Sequence, residues 1–121
     1  MASISNLGIR GKIFETKENK SKNHFFLKGW TADQLINYAQ TTLKNDIASW
    51  KGNWLFIGEW CIASSASFSD DQLHRYAQAQ LDAFKGAVGG WTYWTWKFYN
   101  DDGSRNAWSM KDMINRGFIQ L

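Results

Sequence analysis

The strongest constraint on this chain is an alternation that begins at Trp30. A capping signal, an apolar helical stripe, a glycine stop and a short apolar strand follow one another, and the series then repeats. Thr31-Ala32-Asp33-Gln34 reads as a capping box, with Thr31 at the N-cap and Gln34 reaching back. Behind it Leu35, Ile36, Ala39, Leu43, Ile47 and Trp50 recur at steps of three and four, one apolar face of an amphipathic helix. Gly52 and Asn53 end that pattern. Trp54-Leu55-Phe56-Ile57 is apolar throughout, as expected of a strand buried on both faces.

The second round opens with Ser69-Asp70-Asp71-Gln72, another capping box, which sets two acids at the positive end of a helix. Leu73, Tyr76, Ala77, Leu81 and Phe84 give its stripe, and Gly86, Gly89 and Gly90 interrupt it. Trp91-Thr92-Tyr93-Trp94-Thr95-Trp96 is rich in strand formers. A polar loop from Asn100 to Asn106 leads to a third short helix, from about Ser109 to Arg116, with Gly117 as its stop. Helices alternating with apolar strands over short connections predict an α/β fold with a parallel sheet.

The stretch before Trp30 differs. Residues 1–28 carry six bases against two acids, whereas the remaining 93 residues are close to neutral. The basic character therefore belongs to an N-terminal arm, residues 1–25, and the domain proper is expected at 26–121. A nucleic-acid surface needs a sustained basic stripe on the folded part, so no nucleic-acid partner is expected. Leu7 to Phe14 has some strand character, but Glu15 to Asn23 is too polar for a buried sheet. Met1 to Arg10 lacks the apolar centre of a secretory signal, and no apolar run is long enough to span a bilayer.

One cysteine, Cys61, allows no internal disulfide and is expected to be buried as a small apolar group. It makes no zinc site with the widely spaced His24 and His74, so neither metal nor cofactor is expected. Asn19-Lys20-Ser21 matches a glycosylation sequon, which means little without an export signal. Aromatic residues make up 17% of the chain and include eight Trp, more than a core this small needs. Indole faces stack readily on flat ligands such as sugars and bases.

Of the three glutamates, Glu59 stands apart, at the C-terminal end of an apolar strand in Phe56-Ile57-Gly58-Glu59-Trp60. In parallel α/β folds that edge gathers ligands and catalytic groups. A carboxylate there suits nucleophilic attack on a sugar, and serves equally as a structural acid binding a loop amide or a base.

The ordered series Gly58-Glu59-Trp60, Ala79-Gln80-Leu81-Asp82-Ala83-Phe84, Gly89-Gly90-Trp91-Thr92-Tyr93-Trp94-Thr95-Trp96-Lys97, Trp108-Ser109 and Asn115-Arg116-Gly117-Phe118 closely resembles a known family. It is the C-terminal part of glycoside hydrolase family 5, in its exo-β-1,3-glucanase (glucan 1,3-β-glucosidase) branch. The resemblance covers roughly Phe26 to Leu121. It implies the C-terminal half of a (β/α)8 TIM barrel, about three helices alternating with two or three parallel strands, because a whole barrel takes about 250 residues.

The resemblance also implies retaining hydrolysis of a β-glucan or β-glucoside. Glu59 matches the nucleophile, Trp94 the indole platform beneath the sugar, and Phe26 an aromatic clamp. Trp60, beside Glu59, joins the candidate substrate-binding set, while Trp91 and Trp96 read as packing residues. A retaining enzyme forms a glycosyl-enzyme through one carboxylate and protonates the leaving oxygen with a second. The family's second glutamate follows an asparagine, and this chain contains no Asn-Glu dipeptide. Ser21 and Asn23 stand where the family carries the histidine and tyrosine that support the nucleophile. Three readings follow: an incomplete retaining hydrolase, a β-glucan-binding protein without turnover, and a half-barrel module that self-associates through open sheet edges.

Overall fold

The computed structural model describes residues 2–5 and 29–121. Strand β1 (Ala2–Ser5) is followed by α1 (Ala32–Tyr38), a π-helical turn (Ala39–Leu43) and α2 (Lys44–Ala48), which run on without a break. Then come β2 (Leu55–Trp60), α3 (Asp70–Phe84), β3 (Trp91–Tyr93) and α4 (Met110–Asn115). The three strands form one parallel sheet in the order β1-β2-β3. The expected mixed α/β class with parallel strands is thus present.

Both capping boxes close as the sequence dictates. Thr31 Oγ1 accepts the Gln34 amide while Gln34 Oε1 accepts the Thr31 amide, and Ser69 and Gln72 repeat the exchange at α3. Each box satisfies two amides that a helix start leaves without partners. Gly117, with φ +79°, ends α4, and the Phe118 amide returns to the Met113 carbonyl.

The π-helical turn follows from the spacing of the stripe. Leu35, Ala39, Leu43 and Ile47 sit four residues apart, a spacing that drifts about 40° per step on a 3.6-residue helix. A wider turn at Ala39–Leu43 takes up part of that drift, and all four side chains stay buried. The stripe packs on α3, whose own apolar residues Leu73, Tyr76, Ala77, Leu81 and Phe84 are all buried. Leu55, Ile57 and Trp60 of β2 complete the core from the sheet side, joined by Met113 and Ile119.

The glycines before β3 are required by geometry. A Cβ on Gly89 would lie 2.7 Å from the Leu55 carbonyl oxygen, which the Gly89 amide itself bonds at 2.8 Å. Gly90 has φ +86°, and its carbonyl accepts the Ile57 amide.

Three expectations need correction. Trp54 precedes β2 and is exposed, so the strand is buried at Leu55 and Ile57 and not on both faces throughout. The strand expected over Trp91–Trp96 stops at Tyr93: the Trp94 amide still reaches the Trp60 carbonyl, but Thr95 and Trp96 pair with Trp108 and the first turn of α4. Ala2–Ser5 lies in the stretch read as an arm, yet it forms β1 and pairs with β2 from Ala2↔Leu55 to Ser5↔Glu59. The strand considered at Leu7–Phe14 lies outside the described residues.

Candidate functional site

The C-terminal end of β2 carries a bulge. On the β1 side the register runs Ile4↔Ile57 and then Ser5↔Glu59, leaving Gly58 without an opposite residue. On the β3 side it runs Ile57↔Trp91 and then Trp60↔Tyr93, again one residue more on β2. Such an extra residue bends the strand and changes which side chains face which way. Simple alternation after Leu55 and Ile57 would send Glu59 into the core. With the bulge, Trp60 takes the core position and Glu59 is partly exposed.

The bulge is held from β3. The Thr92 hydroxyl donates to the Gly58 carbonyl, and the Trp94 amide donates to the Trp60 carbonyl at 3.0 Å. Trp91 and Tyr93 lean on Trp60 in the core, so alternation along β3 places Thr92 on the opposite face of the sheet, and Trp94 follows the last residue of the strand. Glu59 and Trp94 thus lie at the same end of the sheet, Glu59 within β2 and Trp94 just past β3. Glu59 has no hydrogen-bond or ion-pair partner among the described residues.

Trp60 is a core residue and not the sugar contact expected of it. It is wholly buried, and its ring meets those of Phe84, Trp91 and Tyr93 edge to face at 4.9–5.3 Å. Its indole N–H is buried without a hydrogen-bond partner among the described residues. Trp94 is half exposed, and the peptide joining it to Thr95 is cis. Trp91 packs as expected, but Trp96 is exposed. Phe26 and His24 lie outside the described residues.

Tyr93 fixes the surrounding loops. Its hydroxyl accepts the Ile62 amide at 3.1 Å and donates to the Ala107 carbonyl at 2.5 Å, linking the loop after β2 to the loop before α4. Burial pushes this phenol above the usual tyrosine range, so it remains a neutral donor. Neither Thr92 nor Tyr93 was visible as a site residue in the sequence, because their partners lie 14 to 34 residues away on other strands and loops.

Most of the remaining carboxylates have structural work. Asp70 meets Arg105 at 2.6 Å, Asp71 meets Arg75 at 2.8 Å, and Asp82 meets Lys85 at 2.7 Å. Asp101 and Asp102 accept the Gly103 and Ser104 amides in the exposed loop after β3. Asp112 is only 14% exposed: burial pushes its carboxyl up, but the Asn106 amide and the Arg116 guanidinium outweigh that and hold it below the ordinary range. Cys61 is buried as expected, and burial pushes its thiol up to about 12. Among the described residues no group of three or more His, Cys, Asp or Glu side chains could hold a metal ion, and no helix is long and apolar enough to cross a membrane. No protein-family model matches the chain, and a search of curated proteins gives no match.

Proposed function

We propose that this chain is a half-barrel related to glycoside hydrolase family 5, in its exo-β-1,3-glucanase branch, and that its sheet end receives a β-glucan or β-glucoside. Glu59 serves as the nucleophile of a retaining displacement and Trp94 as the platform beneath the sugar. The observation that carries this reading is the bulge at Gly58-Glu59. It brings the carboxylate out of the core, at the same end of the sheet as the half-exposed Trp94.

The chemistry follows from the two groups. A carboxylate at a strand end with no partner among the described residues is placed to attack an anomeric carbon. The attack forms a bond from a Glu59 carboxylate oxygen to that carbon as the glycosidic bond breaks, with the electron pair leaving on the aglycone oxygen. The indole face favours the positive charge that develops on the ring and keeps water from it. A second carboxyl must protonate the leaving oxygen, and Glu59 is the one glutamate among the described residues.

That count favours a second reading, in which the chain binds β-glucan without cleaving it. One experiment separates the two: sugar release from a β-1,3-glucan by the full chain, with Glu59→Gln beside it. Release that disappears in the variant supports turnover at Glu59. Binding without release from either protein supports the binding reading, and neither binding nor release would overturn both.

A further inference from the structure

The chain that leaves Glu59 is held residue by residue. The Trp60 carbonyl accepts the Trp94 amide at 3.0 Å, and the Ile62 amide donates to the Tyr93 hydroxyl at 3.1 Å. Between them the Cys61 carbonyl lies 3.5 Å from Nε2 of Gln80, a wholly buried polar side chain on α3. Cys61 and Ile62 are buried as well. A segment just past a strand end is ordinarily surface loop, with backbone groups that meet water and move. Here it is fixed from α3 on one side and from the pair Tyr93-Trp94 on the other.

Tyr93 is the hub of this arrangement. Its phenol accepts from Ile62 and donates to the Ala107 carbonyl at 2.5 Å, so oxygen and proton are both used. Its ring packs on Trp60 with centroids 4.9 Å apart. A phenylalanine would fill that place equally well, so packing does not require the hydroxyl. What the hydroxyl adds is a fixed separation between the chain just beyond Glu59 and the residue that leads into Trp94. Reacting groups must be held to about 0.5 Å of their working geometry. A displacement of about 1 Å can cost about a hundredfold in rate.

We infer that Tyr93 is a positioning residue for Glu59: through Ile62 its phenol holds the carboxylate in register with the Trp94 indole. It acts through the backbone and not on the reacting atoms. This inference rests on the reading of Glu59 as the nucleophile. The test exposes the full chain to a dinitrophenyl 2-fluoro-β-glucoside, whose leaving group departs as a stable phenolate and needs no second carboxyl. A Glu59 carboxylate oxygen bonds the anomeric carbon as the bond to the phenolic oxygen breaks, and the electron pair leaves with the phenolate. The electron-withdrawing fluorine disfavours the later hydrolysis, so the glycosyl-enzyme accumulates and is followed by intact mass.

The parent should be labelled at Glu59, and Glu59→Gln not at all. Tyr93→Phe should be labelled about tenfold more slowly at saturating reagent, with the half-saturating concentration unchanged. Its Ile62 amide should also exchange faster with deuterium. Ile47→Val, which loosens the core on the helix side, should keep the parent rate, and this separates positioning from a general loss of stability. Labelling of Tyr93→Phe at the parent rate would overturn the positioning role and leave Glu59 standing as the nucleophile. A Tyr93→Phe chain unfolded by circular dichroism would assign the hydroxyl to folding and overturn that role as well. No labelling of the folded parent would overturn the nucleophile reading, and this one with it.

Discussion

The Thr92 hydroxyl of β3 donates to the carbonyl of Gly58 on β2, across the bulge that brings Glu59 out of the core. A side chain on one strand thereby fixes the backbone conformation of its neighbour. Thr92→Val removes the hydroxyl at nearly constant shape and should cost about 1 kcal/mol in chemical denaturation, the usual net worth of one hydrogen bond. Thr92→Ser should restore most of it. If Glu59 acts as proposed, the valine protein should also lose turnover beyond its loss of stability, as the carboxylate is no longer held in register. A valine variant as stable and as active as the parent would show that the bulge is held by the backbone alone.

Trp60 and Trp94 are both indoles near the sheet end, yet they should respond oppositely to truncation. Trp60 is enclosed by Phe84, Trp91 and Tyr93, so Trp60→Ala opens a large cavity and should cost about 3–5 kcal/mol. Trp94 is half exposed, and Trp94→Ala should change stability by about 0.5 kcal/mol or less while weakening saccharide binding. Paired denaturation curves and titrations check the contrast. Equal destabilisation by the two changes would place Trp94 in the core.

These two residues also show what the sequence could and could not reveal. Local signals were legible: the boxes at Thr31 and Ser69, the stripes of α1–α2 and α3, and the stop at Gly117 each depend on neighbours within a few residues. The π-helical turn was not expected: the stripe from Leu35 to Ile47 read as one regular amphipathic helix, and the wider turn at Ala39–Leu43 came only with the structure. Features that depend on distant partners were not legible. Ala2–Ser5 becomes a strand only because β2 offers it an edge some fifty residues away. The bulge shifts the buried position from Glu59 to Trp60, and no residue near Gly58 announces it. Trp96 is exposed because its backbone pairs with Lys111, which the strand-like run Trp91–Trp96 does not disclose.

Cys61 lies next to the proposed site, and its thiol is pushed up to about 12 by burial. A thiol in that state presents almost no thiolate at neutral pH and has no path to solvent. Labelling with a thiol reagent at pH 8 should therefore be slow in the native chain and immediate in denaturant. The native rate should fall as stability is raised, because it reports opening of the core. Prompt labelling of the folded protein would place Cys61 at the surface and make it a candidate for the chemistry there.

Asp112 gives the fold a defined weakness toward acid. Its carboxylate accepts the Asn106 amide at 2.8 Å and the Arg116 guanidinium at 2.8 Å, and these hold its folded pKa below the unfolded value of about 3.9. A group with a depressed folded pKa stabilises fully above its unfolded pKa, and that contribution is lost as pH falls through the folded value. Unfolding free energy should thus decline as pH drops below about 4. Asp112→Asn keeps the shape but removes the proton equilibrium, so it should be less stable than the parent at neutral pH and show a shallower fall in acid. Arg116 also bonds the Gly103 carbonyl, so acid should loosen the loop between Phe98 and Asn106 before the core gives way. Denaturant titrations at a series of pH values, with Trp fluorescence as the readout, measure both slopes. Parallel curves for the two proteins would mean that other carboxylates govern the acid limb.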